Sequence, residues 1–576
     1  MDFSTTMIRR ALNRERLSMT LKKGVEPFER LGAYVANLPP GDRLIVGVLG
    51  LFVVVASLVG VIALERTFLV VVPVEGGTLM EGVVGTPRFV NPLLALSDAD
   101  RDLAALTYAG LMGYGADGTL APVLAERYDL SEDGRTYTFT LREGVEFSDG
   151  NPVTAADVVF TVVKAQDPTL RSPALSNWAN IRAEAVDSRT IRFTLPRPYA
   201  PFIEQATLGI LPAHLWESLS AEEFPFSPYM TEPVGAGPFE VASVARSSNG
   251  AVTSYVLTAF NGYALNRPYL DGITFRFYND ASDLAVALRT GEVKSAYGVA
   301  EEGALAVPYA RVFGVFFNPS ENPALAERAV REALSNTIDR RALIDDVLGG
   351  YGTPSVGPLP TGIGGDLPLP ETETRRTEAR ELLADAGWEY DEEAQAWLKG
   401  DQPLAITLRT ANVPELKAVA SRIQGEWRAI GVPTQLELYP ATELTQNVIR
   451  PRDFEALYFG EVIGTYPDLY AFWYSGERND PGLNIAGYAS SNVDKLLEEA
   501  RAAVDDAEAR AALIEAERLI AADYPAAFTH TPDFLYVVPD ALRGVELTRI
   551  AAPSDRLRTA RFWYLRTERV WPWFVR

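Results

Sequence analysis

The chain of 576 residues contains no cysteine, so it has no disulfide framework, no thiolate nucleophile or metal ligand, and no cysteine to carry a lipid. Histidine is nearly as scarce, with only His214 and His530. A histidine-ligated metal site or a Ser-His-Asp triad would have to use one of these two, and neither stands beside a recognisable nucleophile motif. The patterns G-x-S-x-G, H-E-x-x-H and G-x-x-x-x-G-K-[ST] are missing as well. Gly235-Ala236-Gly237 has the opening of a phosphate loop, but Pro238 follows and the third glycine is absent, so it reads as a turn. Lys and Arg number 53 against 76 Asp and Glu, a net charge of -23. That balance argues against nucleic acid, which requires a basic face, and reads as a solvated acidic surface. The expectation is a protein that is not an enzyme and carries neither metal nor cofactor.

What is present begins with one long apolar run. Residues 44–64 are uncharged over 21 positions, and a helix rising about 1.5 Å per residue crosses a hydrocarbon core of roughly 30 Å in that length. The run follows 43 residues and ends in Leu64-Glu65-Arg66 without a small-residue cleavage site, which predicts an uncleaved anchor rather than a signal peptide. Arg9, Arg10, Arg14, Arg16, Lys22, Lys23, Arg30 and Arg43 precede it, and after Arg66 the next basic residue is Arg88, so the N-terminus is expected in the cytoplasm and the bulk of the chain outside. Residues 3–23 have two readings, an amphipathic helix on the inner leaflet or a solvated tail. A chain of this length is too long for one core, and two or three lobes are expected.

The most ordered information lies in residues 120–162. Tyr137, Phe139 and Leu141 alternate with Thr136, Thr138 and Thr140, which predicts a strand after a turn at Asp133-Gly134. Thr154 reads as an N-cap and Asp157 completes a capping box for a helix over 155–165. The order of residues here is similar to the extracellular solute-binding proteins of the dipeptide and oligopeptide type. Ala125, Glu126, Tyr128, Asp133, Gly134, Leu141, Arg142, Gly144, Val145, Phe147, Asp149, Gly150, Pro152, Thr154, Ala155, Asp157 and Val158 match that family's pattern, with Ala121-Pro122 departing from its first pair. The likeness continues through Ile210-Leu211-Pro212-Ala213-His214, Pro233 to Phe239, 329–360, 379–388 and 484–500, and covers roughly 76–570. By this likeness His214 is structural.

The resemblance implies an α/β, two-lobed periplasmic-binding-protein-like fold of type II with an extra small subdomain, to which the apolar run adds one N-terminal transmembrane helix. The expected division is a cytoplasmic basic segment 1–43, the helix 44–64, a linker 65–75, a first lobe from 76–112 and 232–308, a small α/β subdomain 113–231, a second lobe 309–530, and a return to the first lobe with a tail over 531–576. It implies a monomer that receives a peptide or peptide-like solute between the lobes and delivers it to the permease and ATPase subunits of an ABC importer. The rival reading is a sensory or scaffolding ectodomain on the same fold. A carboxylate-based hydrolase is a weaker rival, since no motif supports it.

The family's ligand cleft corresponds to 453–476 here. Its extended segment, often with tryptophan, precedes an A-D-Y-x-D-P motif whose first aspartate holds a peptide's α-ammonium. Aligned on Tyr466-Pro467-Asp468, Val462 falls near the tryptophan and Thr465 takes the place of that aspartate. Leaving an ammonium unpaired is costly, so this departure predicts no preference for a free peptide N-terminus unless Glu461 or Asp468 substitutes. Ligand contacts are expected from Tyr108, Glu461, Val462, Ile463, Thr465, Tyr466, Asp468 and Asn484. Tyr108, in a segment similar to the family's L-x-Y-E-G-L, has a second reading as an ordinary core aromatic. The C-terminal Trp571-Pro572-Trp573-Phe574 has no counterpart in the resemblance.

Overall fold

In the computed structural model Tyr137, Phe139 and Leu141 are buried, as their alternation requires, and the strand Thr136–Leu141 lies inside a four-stranded antiparallel sheet. Its neighbours are Ala125–Leu130 and Thr190–Thr194, the latter paired in a hairpin with Arg182–Ala185. The structure describes residues 34–115, 118–365, 367–371, 374–464, 467–503, 505–547 and 550–574. Helix Ala155–Ala165 starts where the capping box places it: Asp157 Oδ2 accepts from the Thr154 N–H at 2.8 Å and its hydroxyl at 2.7 Å. The other carboxylate oxygen accepts from the Ala213 N–H at 2.8 Å, which ties the helix to the Ile210–His214 element. Trp178, Phe193 and Phe202 pack edge to face behind the sheet.

A twelve-stranded sheet carries the rest. Strand Ala526–Val537 runs through its middle. The first half pairs antiparallel with Arg311–Phe317, and the second half with Ser295–Tyr297 and Leu305–Pro308. On one side the sheet continues through Thr78–Val84, Gly272–Tyr278, Val252–Ala259 and Phe239–Arg246, which build the first lobe. On the other it continues through Ala456–Val462, Ile406–Ala411 and Thr434–Tyr439, which build the second. Alternate residues of Arg311–Phe317 face opposite cores: Val315 and Phe317 pack with Trp427, and Val312 and Phe316 with Trp473. Helix Pro414–Ala429 connects two parallel strands of the second lobe as a β-α-β unit, with Pro at its first turn.

Residues 100–111 are helical in pattern, yet the helix spans Asp98–Thr107 and leaves Tyr108 in extended backbone. It stops because the turn 233–239 crosses its end: the Gly237 N–H donates to the Thr107 carbonyl at 2.9 Å, and a Cβ on Gly235 or Gly237 would collide with the Thr107 and Leu106 carbonyls. The last strand is Arg566–Val570, after a single 3-10 turn at Ala560–Phe562.

The first lobe is clamped by a buried ion network. Arg556 donates to Glu81 at 2.8 and 3.0 Å and to Asp102 at 2.6 and 2.8 Å, with all three side chains fully buried. The Tyr536 and Ser295 hydroxyls donate to the second oxygen of Glu81, and Arg556 also reaches the Pro553 carbonyl at 2.7 Å. The strand of Glu81, the helix of Asp102 and the C-terminal segment of Arg556 are thereby joined.

Residues up to 73 and beyond 566 form a separate unit. Helix Pro40–Phe68 is long and apolar enough to cross a membrane, and none of its window Pro40–Gly60 is buried in the structure. The strand Val70–Val74 follows and pairs with Arg566–Val570. Residues 3–23 lie outside the described residues.

Candidate functional site

In an open α/β sheet, solutes bind at the carboxyl ends of strands, where the chain turns into a helix. In the second lobe this place is the end of Ile406–Ala411 and the first turn of Pro414–Ala429, beside the end of Ala456–Val462 and the start of Arg311–Phe317. The chain crosses between lobes at the same level. The Tyr309 N–H donates to the Pro532 carbonyl at 2.9 Å and the Ala310 N–H to the Ile550 carbonyl at 2.7 Å.

Arg311 stands at this crossing, half-buried, with its guanidinium 3.6 Å from the centroid of the Tyr309 ring. Its hydrogen bond to the Ala551 carbonyl is long, 3.4 Å, and its buried Nε has no partner among the described residues. Burial pulls its pKa below the ordinary arginine value, opposed by Tyr309 and by the carboxylates of Asp98 and Glu415. Asp98 comes from the first lobe, where it accepts from the Tyr297 hydroxyl at 3.4 Å. Glu415 comes from the second, at the start of the helix, and burial raises its carboxyl while Arg311 lowers it. Phe534 stacks on Tyr297 at 5.9 Å and meets Tyr309 edge-on at 5.5 Å. Below, the Tyr458 hydroxyl and His530 Nε2 are buried without partners among the described residues, on either side of Phe313. The arrangement provides a guanidinium donor, the charges of two acids and aromatic walls, which suits holding a polar solute.

The residues singled out in the sequence are placed unequally. Val462 is 48% exposed and pairs with Arg311 across the strands, so it borders this site. Ile463 turns its side chain into the second-lobe core and donates its N–H to the Ala310 carbonyl at 2.9 Å. Glu461 does not offer a carboxylate to a cleft: it is 3% exposed, on the strand face of Leu457 and Ile463, and burial drives its pKa well above the usual range. The Trp473 indole is beside it, yet neither group attains hydrogen-bond geometry. Asp468 is engaged by Arg501 through contacts of 2.6 and 2.9 Å, and it accepts from the Tyr470 N–H. Arg501 in turn lies 3.7 Å from the Tyr470 ring centroid, and its carbonyl accepts from the Ala200 N–H of the small subdomain at 3.3 Å, so this pair belongs to the rim where subdomain and second lobe meet. Asn484 is fully buried and fully bonded: its amide donates to the Tyr474 and Tyr488 carbonyls and accepts from the Tyr488 N–H, which locks a turn. Thr465 and Tyr466 lie outside the described residues.

Tyr108 is 4% exposed and lines a cavity of about 450 Å³ where the first lobe meets the small subdomain, with Arg101, Tyr114, Asn177 and Arg558 on its walls. Its hydroxyl has no partner among the described residues, and burial pushes its pKa far above the tyrosine range. Sequence reasoning passed over Arg311, Asp98 and Glu415. The available signal was a single charge heading the apolar run Val312 to Phe317.

Comparison with known proteins agrees with this architecture. Residues 119–482 match the family model "Bacterial extracellular solute-binding proteins, family 5 Middle". The oligopeptide-binding protein AppA of Bacillus subtilis is 26% identical over 498 residues, covering 82% of this chain and 89% of AppA. Its structure with a nonapeptide superposes with a TM-score of 0.68 at 24% identity, covering 86% of this chain and all of that one. The glutathione-binding protein GsiB of Pectobacterium atrosepticum is 28% identical over 492 residues, 79% of this chain and 91% of its own. The ABC transporter substrate-binding protein CtaP of Listeria monocytogenes has a TM-score of 0.71 at 26% identity, covering 85% and 99%. With this α/β architecture and a family match over most of its length, the chain belongs to the bacterial extracellular solute-binding proteins of family 5.

Proposed function

We propose that this chain captures a peptide or peptide-like solute between its two lobes and hands it to an ABC importer, while its own helix holds it at the outer face of the membrane. The observation that carries the reading is Arg311. A half-buried guanidinium whose Nε has no partner among the described residues, acted on by the charge of an acid from each lobe and paired across the strands with the exposed Val462, suits a ligand's carbonyl and carboxylate oxygens. The nonapeptide held by AppA and the glutathione named for GsiB are ligands of that kind. In this reading Val462 and Tyr108 supply contacts, Ile463 positions the strand end, and the small subdomain closes on the second lobe at Arg501. Glu461, Asp468 and Asn484 support the site from behind, and no carboxylate replaces the family's aspartate at Thr465.

A ligand that binds only the folded protein adds about 2.7 kcal/mol of stability at a hundred times its dissociation constant. A peptide library is therefore expected to yield members that raise the melting temperature and reduce the radius of gyration. Arg311→Gln is expected to weaken those members about ten- to a hundredfold, the range of one charge-assisted hydrogen-bonded contact. If no peptide changes either quantity, the ligand class is wrong. If peptides bind and Arg311→Gln binds them equally, the ligand class stands and the site is misplaced.

The anchor has its own test. Full-length protein is expected to sediment with membranes, and protease added outside intact cells should remove the mass beyond Glu65. A soluble product cut near Leu64 would refute it.

A further inference from the structure

Solute binding leaves the aromatic segment Trp571-Pro572-Trp573-Phe574 unused, and the fold brings it to a specific place. Gly76 faces Arg566 and Gly77 faces Leu565, so the two segments run past each other in opposite directions. The pairing continues as the two-stranded sheet of Val70–Val74 with Arg566–Val570. Carried on in the same sense, residues 571–574 come level with residues 68–71, where the apolar helix Pro40–Phe68 ends. Phe68 lies about 6 Å beyond the end of the uncharged run at residue 64, at 1.5 Å per helical residue, which is roughly the depth of one headgroup layer.

The surface at that level is apolar and accessible. Trp573 is 70% exposed, Val71 55% and Phe68 54%, and the Trp571 and Trp573 rings stack at 4.9 Å with 7° between their planes. An indole pairs a flat apolar body with one N–H, the combination that favours the boundary between acyl chains and headgroups over either phase alone. Pro572 opens the single 3-10 turn Pro572–Phe574.

We propose that the Trp571–Phe574 tail is a second membrane contact, seated in the headgroup region of the outer leaflet beside the exit of the helix, and that its partner is the phospholipid interface itself. The inference rests on the anchor reading above. Phe68 and Trp571 are far apart in the sequence, yet in this reading both lie at the bilayer surface.

The absence of cysteine makes a clean test possible, because a single introduced cysteine can be labelled uniquely. Full-length Trp573→Cys, carrying an environment-sensitive fluorophore and reconstituted in phospholipid vesicles, is expected to emit to the blue of the same label at Phe226→Cys, a site 87% exposed in the small subdomain. It should be quenched by lipids brominated near the headgroup more than by lipids brominated deep in the chain. Unlabelled protein gives an independent reading: tryptophan emission in brominated vesicles should lose a quenched component in Trp571→Ser/Trp573→Ser. A label at residue 573 that reads as water, while one at Val53→Cys is quenched, overturns the tail contact and leaves the anchor standing. A Val53→Cys label that also reads as water overturns the anchor and the tail together. Shielding that appears only when importer subunits are added, or that rises with protein density, overturns the lipid assignment in favour of a protein partner.

Discussion

Replacing Arg556 with Met is expected to destabilise the first lobe by about 3–5 kcal/mol, lowering its thermal midpoint by roughly 10 °C. The guanidinium is the only cation within bonding distance of Glu81 and Asp102 among the described residues, and none of the three side chains reaches solvent. The network holds two acids for one base. Burial pushes the Asp102 carboxyl up to about 6 even with Arg556 attached, while the two carboxylates together hold the guanidinium firmly charged against the same burial. Removing the cation leaves both acids buried without compensation, and the protein must then protonate them or open to water. Adding Glu81→Gln and Asp102→Asn to Arg556→Met is expected to recover much of the loss, because the amides are neutral and the Ser295 and Tyr536 hydroxyls still find an acceptor in the amide carbonyl that Glu81→Gln leaves in place. Denaturation of the detergent-solubilised full chain measures both effects. A midpoint for Arg556→Met within about 2 °C of the wild type would show that the network does not clamp the lobe.

Two buried groups of the second lobe are expected to give stability–pH curves of opposite slope. His530 lies in the central strand, fully buried and stacked on Phe313 at 5.1 Å, and burial lowers its pKa to about 4. The unfolded chain takes up a proton near 6.5 and the folded one does not, so the stability from neutral His530 is present above that value and is lost as pH falls towards 4. Glu517 runs the other way. Burial raises its pKa to about 7, against the Gly365 N–H that it accepts at 2.6 Å. Its folded carboxyl holds a proton that the unfolded chain has released, so its contribution is present below 4.5 and is lost as pH rises through 7. Each shift corresponds to about 3 kcal/mol across its window. Asp102 leans the same way as Glu517, and for that reason variants are compared with the wild type rather than read alone. His530→Asn should gain on the wild type as pH falls from 7 to 4, and Glu517→Gln should gain as pH rises from 4 to 8. Difference curves that stay level with pH would show that these groups titrate alike in the folded and unfolded chain.

Glu517 also explains three glycines that no turn pattern suggests. Gly357 and Gly364 approach its carboxyl so closely that a Cβ would sit about 2.6 Å from an oxygen, and Gly365 donates to it. The loop is held by a helix more than 150 positions later in the chain, and no local pattern encodes that.

The features legible in the sequence were those whose physics is local. Thr154 and Asp157 are three positions apart, and a capping box needs nothing else, so the start of that helix was readable to the residue. Tyr137, Phe139 and Leu141 declared their buried face by a period of two. The apolar run was visible by length, and the family by the order of its motifs. Within those motifs the residues were visible and their work was not. Asn484 stood out as a ligand contact, but it locks a turn through three bonds to Tyr474 and Tyr488. Glu461 and Asp468 stood out as acids near the cleft, but one is buried on a core face and the other is held by Arg501. Whether a carboxyl is charged, paired or available depends on desolvation and on a partner that folding brings from elsewhere. Arg556 meets Glu81 across 475 positions and Asp102 across 454, and the acid charges acting on Arg311 come from Asp98 and Glu415, distant in the sequence on either side of it. The sequence by itself determined the family, the local caps and strand faces, and the presence of an apolar helix. Which charges are buried, which are paired and which are left without a partner was decided by the tertiary structure alone, because burial and long-range proximity set those energies and neither is a property of neighbouring residues.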